Sequence, residues 1–472
     1  MNKKEYLLFS AIVILLLIEF ILCVDLPFFW DGISKANRAT WIYDTNFSSL
    51  ILPTEYASGH PPLWIVSLAV FWQFFGKTLF ASRLLLLLVN VGVFYQLLLL
   101  CKRSFIKMVP IFLFFIVCLE PTLIAQTTSL NNDMMLLFFT LFAINALLKN
   151  KWLLLALALS GLLLTNLRGI YCFIAIIIIH IIYTRKNLLV FNKKMIFAYV
   201  VSAIAFGVFL IYQYSELGWV LITKNETYAS HRETASFFRI AKNTAAYIKN
   251  FLDFGRLAVI IPLLVLLFKV FRSKKQILDH QSKQLLIALL VFTVVFFLGF
   301  VPFSNPMGPR YLLICFILAN ILFINLLFAF HLRTNIKKGL LSLVVIAFVS
   351  GHFWIYPATI SQAWDSSLAY LNYYKQEEKM LQYLSENDLS HQIIGTNVRL
   401  NSKSLSRLEK PTQEFEMFPE LNLQENKYVI FSNIENKTSD EEIYQLQNNW
   451  EKVATYSQLG VFITLYKNPE SD

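Results

Sequence analysis

The apolar residues of this chain are gathered into long, nearly uninterrupted runs, and this feature limits its fold more than any other. Examples are Leu7 to Val24, Leu285 to Val301 and Tyr311 to Phe330. A run of about 20 apolar residues matches the thickness of a lipid bilayer. The chain is also 57% hydrophobic and only 15% charged, so it lacks the polar surface that a soluble protein of 472 residues needs. The sequence predicts a polytopic α-helical membrane protein.

The basic residues indicate how these segments cross the membrane. Lys and Arg are concentrated in short loops, which in membrane proteins lie on the cytoplasmic side. The apolar segment 63–75 is too short to cross, and counting it as a crossing would invert every later basic cluster. We therefore predict about eleven transmembrane helices with a cytoplasmic N-terminus. The absence of targeting features favours a plasma (inner) membrane. The predicted helices cover residues 6–26, 79–100, 108–127, 133–148, 152–167, 169–183, 195–214, 255–271, 284–302, 309–331 and 339–356.

The loops and the tail divide the chain further. Residues 1–357 form the predicted membrane domain, with outer loops at 27–62 and 215–254. After residue 357 the composition becomes polar, and short β-prone runs at 392–395, 427–431 and 460–466 alternate with helical patterns. We predict a small extracytoplasmic α/β domain at 358–472, which serves as a structural cap or an acceptor-docking module.

Two other features exclude common classes of function. The net charge of +11 comes from loop residues that set topology, so it does not indicate a nucleic-acid partner. The five cysteines lie in or beside apolar segments, and none is spaced as in a disulfide framework or a zinc site.

Two aspartates are candidate catalytic residues. Asp31 follows Trp30 at the start of the first outer loop, where a carboxylate can orient or deprotonate an acceptor hydroxyl. Asp133 begins the fourth predicted span, at the same predicted depth. An ordinary solvated acid or helix cap is the alternative for Asp31, and a helix N-cap is the alternative for Asp133.

A few basic residues lie at the outer boundary, against the usual charge bias. Arg168 and Arg310 are there, and a guanidinium at this depth can clamp a lipid-linked phosphate. A headgroup contact is the alternative for each arginine. His60, before a double proline, is either a phosphate contact or a turn residue.

Two acids fall within predicted spans. Glu120 precedes Pro121 near the outer third of the third span and is a candidate for lining the same cavity. Glu19 lies near the middle of the first span, where a protonated carboxyl can hydrogen-bond between helices.

Taken in order, several short motifs resemble those of the GT-C membrane glycosyltransferases, in particular the group of protein O-mannosyltransferases and bacterial aminoarabinose transferases. They cover residues 28–313. The motifs are Trp30-Asp31, Gly59-His60-Pro61-Pro62-Leu63, Phe75-Gly76, Arg83, Asn132-Asp133, residues 165–169 and Pro309-Arg310-Tyr311-Leu312-Leu313.

The resemblance implies an inverting transfer of a hexosyl or pentosyl group from a polyprenyl-phosphate donor to an acceptor hydroxyl at the outer face. Asp31 would serve the acceptor and Asp133 would be the second acid. The resemblance assigns the donor phosphate to Arg168 and Arg310. His60 and Tyr311 belong to the same donor-binding set. The acceptor is a glycan, a lipid or a protein.

One departure from the family pattern stands out. Many relatives have a Glu directly after the first-loop acid, and this chain has Gly32. Metal use varies in the family, so the resemblance leaves a divalent metal open, although the sequence presents no clear ligand set.

Two other classes of protein remain alternatives. A transporter or flippase for a lipid-linked or anionic solute needs coupling acids near the midplane and repeated broken helices. Only Glu19 fits that depth, and no repeat is visible. A scaffold that displays the tail domain leaves the outer acids and arginines unexplained.

Overall fold

The computed structural model describes residues 2–272, 278–401 and 417–470, and helices dominate it. The helices of the first 357 residues are α1 (Lys3–Cys23), α2 (Asp31–Asp44), α3 (Leu63–Phe75), α4 (Leu79–Ser104), α5 (Phe114–Cys118), α6 (Pro121–Thr128), α7 (Asp133–Leu148), α8 (Trp152–Thr165), α9 (Arg168–Arg185), α10 (Lys194–Leu217), α11 (Glu226–Ala229), α12 (Phe237–Leu252), α13 (Leu257–Arg272), α14 (His280–Phe300), α15 (Leu313–Ala329) and α16 (Thr334–Gly351).

The protein is a multi-pass membrane protein. Within the described ranges, seven helices are long and apolar enough to cross a bilayer, and two bent pairs bring the number to nine. One pair, α5 with α6, is bent by 67°, and the other, α12 with α13, by 94°. The predicted fourth and fifth spans are present as the shorter helices α7 and α8. Each of the eleven predicted spans therefore contains a helix, and whether α7 and α8 cross stays a prediction.

The most buried span is α15. Almost all of its side chains are shielded by the surrounding helices, whereas α1, α10 and α16 expose most of theirs. In a bilayer, exposed apolar faces of this kind contact lipid. Arg310 lies in the short 3-10 helix Pro309–Leu312, directly before this central helix.

The short apolar segment, predicted not to cross, forms α3. Trp64, Leu68 and Trp72 on this helix are fully buried, and the Trp72 indole donates a hydrogen bond of 2.8 Å to Ser82 on α4. The helix ends at Gly76, whose φ of +82° is a conformation that favours glycine. It therefore packs as part of the core of the membrane domain.

The first outer loop contains a helix that the sequence analysis did not anticipate. In α2 the apolar residues Ile33, Ala36 and Ala39 recur at helical spacing and are buried. The residue before this helix, Trp30, has a φ of +34°, a strained conformation for a bulky side chain. Trp30 stacks on Phe29 at 5.0 Å, which fixes the point where the helix begins.

After the last span the chain forms a small α/β unit. Its helices are α17 (Asn372–Glu386) and α18 (Asp440–Asn449), and its strands are β1 (Ile394–Thr396), β2 (Tyr428–Ser432), β3 (Glu451–Gln458) and β4 (Val461–Lys467). The strand order is β1-β2-β4-β3, with β1 parallel to β2 and the other pairs antiparallel. The predicted small sheet domain is confirmed. Strand β3 was missed because its polar sequence lacks a clear alternation.

The α/β unit is anchored on the membrane domain. Phe29 belongs to its hydrophobic core and lies 4.7 Å from the ring of Tyr370. The Tyr370 hydroxyl shares a 2.7 Å hydrogen bond with Thr128 at the end of α6. Gln126, also on α6, donates to the main-chain oxygen of Asp365 at 2.8 Å. These contacts hold the segment after the last span against the ends of the early helices.

Candidate active site

The guanidinium of Arg310 gathers three carboxylates. One of its terminal nitrogens donates to Asp31 at 2.5 Å and the other to Asp365. Its Nε lies 3.7 Å from Asp133. These residues come from distant parts of the chain, so the bundle brings together the two predicted acids, one predicted arginine and Asp365, which the sequence analysis did not identify.

A second arginine shares one of these acids. Arg168, at the start of α9, donates to Asp133 at 2.5 Å, and its guanidinium lies 4.0 Å from the centre of the Tyr311 ring. The Asp133 side chain is only 1% exposed. A buried carboxylate between two guanidiniums can hold both in place.

The positions of the two acids follow from helix geometry. Asp31 and Asp133 are the first residues of α2 and α7, where the helix dipole favours a negative charge. Gly32 allows these helix starts to approach, because a Cβ there would lie 3.3 Å from the carbonyl oxygen of Leu130. The departure from the family pattern at this position thus coincides with a close packing contact.

A cationic cavity of about 360 Å³ lies beside this cluster. Its basic lining residues are Lys35, Arg38, Arg168, Arg232 and Arg310, and Asp31 is the only carboxylate in the lining described. The predicted donor residues His60 and Tyr311 line it as well. The excess of positive charge suits an anionic ligand such as a phosphate.

The cations on α2 were missed by the sequence analysis. Lys35 and Arg38 lie one and two turns after Asp31 on the same helical face. Arg38 donates to the main-chain oxygen of Tyr56 at 2.8 Å and lies 5.1 Å from the Tyr228 ring. This spacing is present in the sequence, but it places the three side chains on one face only if the segment is helical.

Arg232, from the second outer loop, reaches the cavity from the other side. Among the described residues, neither it nor Lys35 nor Arg38 forms an ion pair with a carboxylate. By contrast, both arginines that were predicted to hold a phosphate are already paired with acids.

The cavity shifts the pKa values of the groups around it. Burial would raise the pKa of Asp31, but Arg310 and Lys35 outweigh it and hold the pKa below its usual range. Burial and the neighbouring Arg38 lower the pKa of Lys35 to about 7. Burial and the surrounding cations, Lys35 first among them, keep the pKa of His60 well below its usual value. At neutral pH, Asp31 is therefore ionised and His60 is neutral.

An apolar recess continues from the cationic cavity. The two share Lys35, Arg38, Ser58, His60 and Asn132. Most of the remaining lining is apolar and comes from the first loop, α3 and α10, among them Leu50, Ile51, Pro61, Trp64, Phe209 and Leu217. With a volume of about 40 Å³, the recess has room for a small apolar group next to a charged one.

A polar cleft of about 780 Å³ adjoins the cationic cavity. The cavity and the cleft share Asp31, Ser34, Arg38 and Tyr228. The far wall of the cleft is formed by the α/β unit, through residues such as Asn397 and Asn436. Asp31 therefore stands where the two spaces meet.

The acids predicted within spans lie elsewhere. Glu120 is fully buried and pairs with Arg256 on α13 at 2.7 Å, and it accepts a hydrogen bond from the Leu123 amide. It lines neither the cationic cavity nor the polar cleft. Glu19 accepts a 2.7 Å hydrogen bond from Thr127 between two helices.

The described residues contain no group of three or more His, Cys, Asp or Glu side chains placed to hold a metal ion. The three aspartates of the cluster surround a guanidinium, which occupies the position that a cation would take. The part of this cluster that the structure describes therefore does not fit a metal site.

The bundle and its small sheet domain together have the GT-C fold. Two solved structures show it, ArnT from Cupriavidus metallidurans bound to undecaprenyl phosphate and the same protein in the apo state. Each has a TM-score of 0.55 and 10% sequence identity with this chain. The first match covers 98% of both chains, and the second covers 98% of this chain and 97% of the other.

At this identity the likeness shows the fold, as the sequence motifs predicted. No protein-family model matches the chain, and no curated protein sequence matches it.

Proposed function

We propose that this protein is a glycosyltransferase that moves a sugar from a polyprenyl-phosphate donor to an acceptor hydroxyl, with inversion at the anomeric carbon. The observation that carries the proposal is the position of Asp31, an ionised carboxylate between a cation-lined cavity and a polar cleft. The GT-C fold supports it, as does the undecaprenyl phosphate bound by the structural neighbour.

The donor would occupy the cationic cavity and the apolar recess. Its phosphate would contact Lys35, Arg38 and Arg232, which have no carboxylate partner among the described residues, and its isoprenoid chain would start at the recess. Arg168 and Arg310 would position the acids and add to the positive field that stabilises the leaving phosphate.

Asp31 would serve the acceptor. Its carboxylate accepts the hydrogen bond of the attacking hydroxyl and then its proton, while the new bond forms between that oxygen and the anomeric carbon. The bond from the anomeric carbon to the phosphate oxygen breaks, and polyprenyl phosphate leaves. Because the pKa of Asp31 is low, orientation of the hydroxyl comes before full proton transfer.

The multi-pass fold and the charge pattern of the loops support a proposed location and orientation. The protein would lie in a plasma (inner) membrane with its N-terminus in the cytoplasm. The polar cleft and the α/β unit would then face the extracytoplasmic side, where lipid-linked sugars are presented. The membrane domain is assigned to residues 1–357 and the extracytoplasmic domain to 358–472.

Purified protein in proteoliposomes, supplied with undecaprenyl-phosphate-linked sugars, tests the proposal by release of undecaprenyl phosphate. Asp31→Asn should abolish release and leave folding intact. Asp44→Asn, at the exposed end of the same helix, is the matched control. Near-normal turnover of Asp31→Asn would reject the assignment. Solute uptake measured in parallel, with no sugar transfer, would favour the transporter instead.

A further inference from the structure

The polar cleft has two walls with different origins. One wall is a face of α2 that follows directly from Asp31, with Ser34 and Asn37 at successive turns. The other wall belongs to the α/β unit and contains Asn397 and Asn436. A ligand that touches both walls has its reacting end at Asp31.

The lining of the cleft is dominated by side-chain amides and by charges of both signs. The amides include Asn37, Asn225, Asn397, Asn401 and Asn436. An amide offers two donors and an acceptor in one plane, which matches the neighbouring hydroxyls of a sugar. Asn225, Asn397, Asn401 and Asn436 already donate within the protein, so these four would meet a ligand only with their remaining donor or acceptor groups. The cleft's volume of about 780 Å³ lies within the range of about 300–1,000 Å³ that is usual for ligand sites.

The charges do not favour an ionic ligand. Glu55, Glu420 and Glu435 line the cleft together with Asp31, and the basic residues Arg38, Arg399 and Lys437 oppose them. Because these acidic and basic residues nearly balance, the cleft neither attracts nor strongly repels an anion or a cation. This lining therefore suits an uncharged ligand, which would bind through hydrogen bonds and not through net charge.

The apolar part of the lining is largely aromatic. Trp30, Tyr56 and Tyr228 supply rings, and Ile33 and Val398 supply aliphatic surface. Aromatic rings suit the C–H faces of a sugar ring, whereas the acyl chains of a lipid need a continuous apolar groove. In this cleft the apolar side chains share the lining with amides and charged groups, which suits a sugar better than an acyl chain.

We propose that the polar cleft binds the acceptor, and that the acceptor is an uncharged, hydroxyl-rich glycan. This inference rests on the proposed transferase function and adds the substrate class. The glycan enters between α2 and the α/β unit and places one hydroxyl at Asp31. The amides on the two walls select it by its hydroxyl pattern.

Binding to the full-length protein in lipid nanodiscs, followed by native mass spectrometry, tests the inference. The probes are neutral tetrasaccharides of glucose, mannose and N-acetylglucosamine, with a Ser/Thr-containing decapeptide and a lipid A as the competing classes. At least one tetrasaccharide should bind. Asn37→Ala and Asn397→Ala, one from each wall, should each weaken that binding about tenfold.

The matched control is Asn448→Ala on α18, an exposed amide of the same α/β unit that lies outside the cleft lining. It should bind the tetrasaccharide normally. Binding of the peptide or the lipid A that is lost in Asn37→Ala, or failure of every tetrasaccharide to bind, would overturn the inference.

The two proposals fail separately in this experiment. Undecaprenyl phosphate is titrated against the same preparations, and Asn37→Ala and Asn397→Ala should bind it normally. If undecaprenyl phosphate binds and is released from its sugar-linked form while no tetrasaccharide binds, the transferase assignment stands and the glycan assignment falls. If undecaprenyl phosphate does not bind, the transferase assignment itself falls.

Discussion

Asp31 and Asp365 accept hydrogen bonds from different terminal nitrogens of one guanidinium, that of Arg310. Asp31 is the first residue of α2 in the first loop, and Asp365 lies between the last span and the first helix of the α/β unit. A single arginine at the start of the central helix thus ties the proposed catalytic acid to the anchoring segment of the tail. The same arginine therefore contacts the proposed catalytic acid and the segment that anchors the α/β unit.

Arg310→Lys tests the role of this contact. Lysine keeps the charge but loses the planar fork that reaches two carboxylates at once. Turnover should fall about 100-fold, within the range expected for losing one or two charge-assisted hydrogen bonds. Single-turnover release of undecaprenyl phosphate measures it, and Arg272→Lys, at the far end of α13, is the control.

A second substitution in the same background separates positioning from a general loss of structure. Asp365→Asn removes one of the carboxylates that compete for the remaining lysine charge. Arg310→Lys with Asp365→Asn should recover about tenfold over Arg310→Lys alone, because the two residues are directly coupled. Strictly additive losses would show that the contact does not act as a unit.

Lys35 should make the affinity for undecaprenyl phosphate depend on pH. Its pKa in the free protein is about 7, and a bound phosphate raises it because the anion stabilises the ammonium form. Above pH 7, binding must therefore take up a proton, so affinity should fall by up to about tenfold per pH unit. Below pH 7 the lysine is already charged, so it adds nothing to the dependence of affinity on pH.

Lys35→Arg is the matched variant for this prediction. Arginine stays protonated throughout, so the slope above pH 7 should flatten, while the titration of the phosphate itself is unchanged. Binding measured by native mass spectrometry from pH 6 to about 9 compares the two proteins. Identical slopes would show that Lys35 does not titrate against the phosphate.

The buried pair of Glu120 and Arg256 should act on stability and not on chemistry. Glu120→Gln leaves Arg256 buried without an opposite charge, which costs about 3–5 kcal/mol. The apparent melting temperature in detergent should drop, while turnover per folded molecule stays normal. Glu120→Gln with Arg256→Met should regain much of the loss. A selective fall in turnover would return Glu120 to the candidate cavity residues.

The predicted topology can be tested by thiol labelling, because all five native cysteines are buried and give a low background. Ser48→Cys and Asn448→Cys, at exposed sites of the first loop and of α18, should react with a membrane-impermeant reagent in intact cells. Lys186→Cys, exposed after α9, should react only after permeabilisation. Labelling of Ser48→Cys and Lys186→Cys from one side would contradict the charge-based orientation.

Local patterns were enough to place the long apolar helices and to identify several residues of the candidate site. Apolar runs and basic loops are short-range signals, so the segments that became α4, α9 and α15 were predictable one at a time. Asp133 and Arg168 were found because each begins or precedes an apolar run that can be recognised on its own. Arg310 was found in the same way, and Asp31 was found because it follows the first apolar run.

Contacts between residues that are distant in the chain could not be predicted from the sequence, because they depend on how the helices pack. Nothing near Asp365 in the chain indicates that it meets Arg310, since that contact exists only after the tail folds back onto α6. Lys35 lies in the candidate site because the residues around it form the helix α2. Glu120, which was predicted to line the cavity, pairs with Arg256 instead. Sequence patterns report which face of a segment is apolar. Only the packed bundle decides which charged groups share a space, because that depends on how those faces are matched.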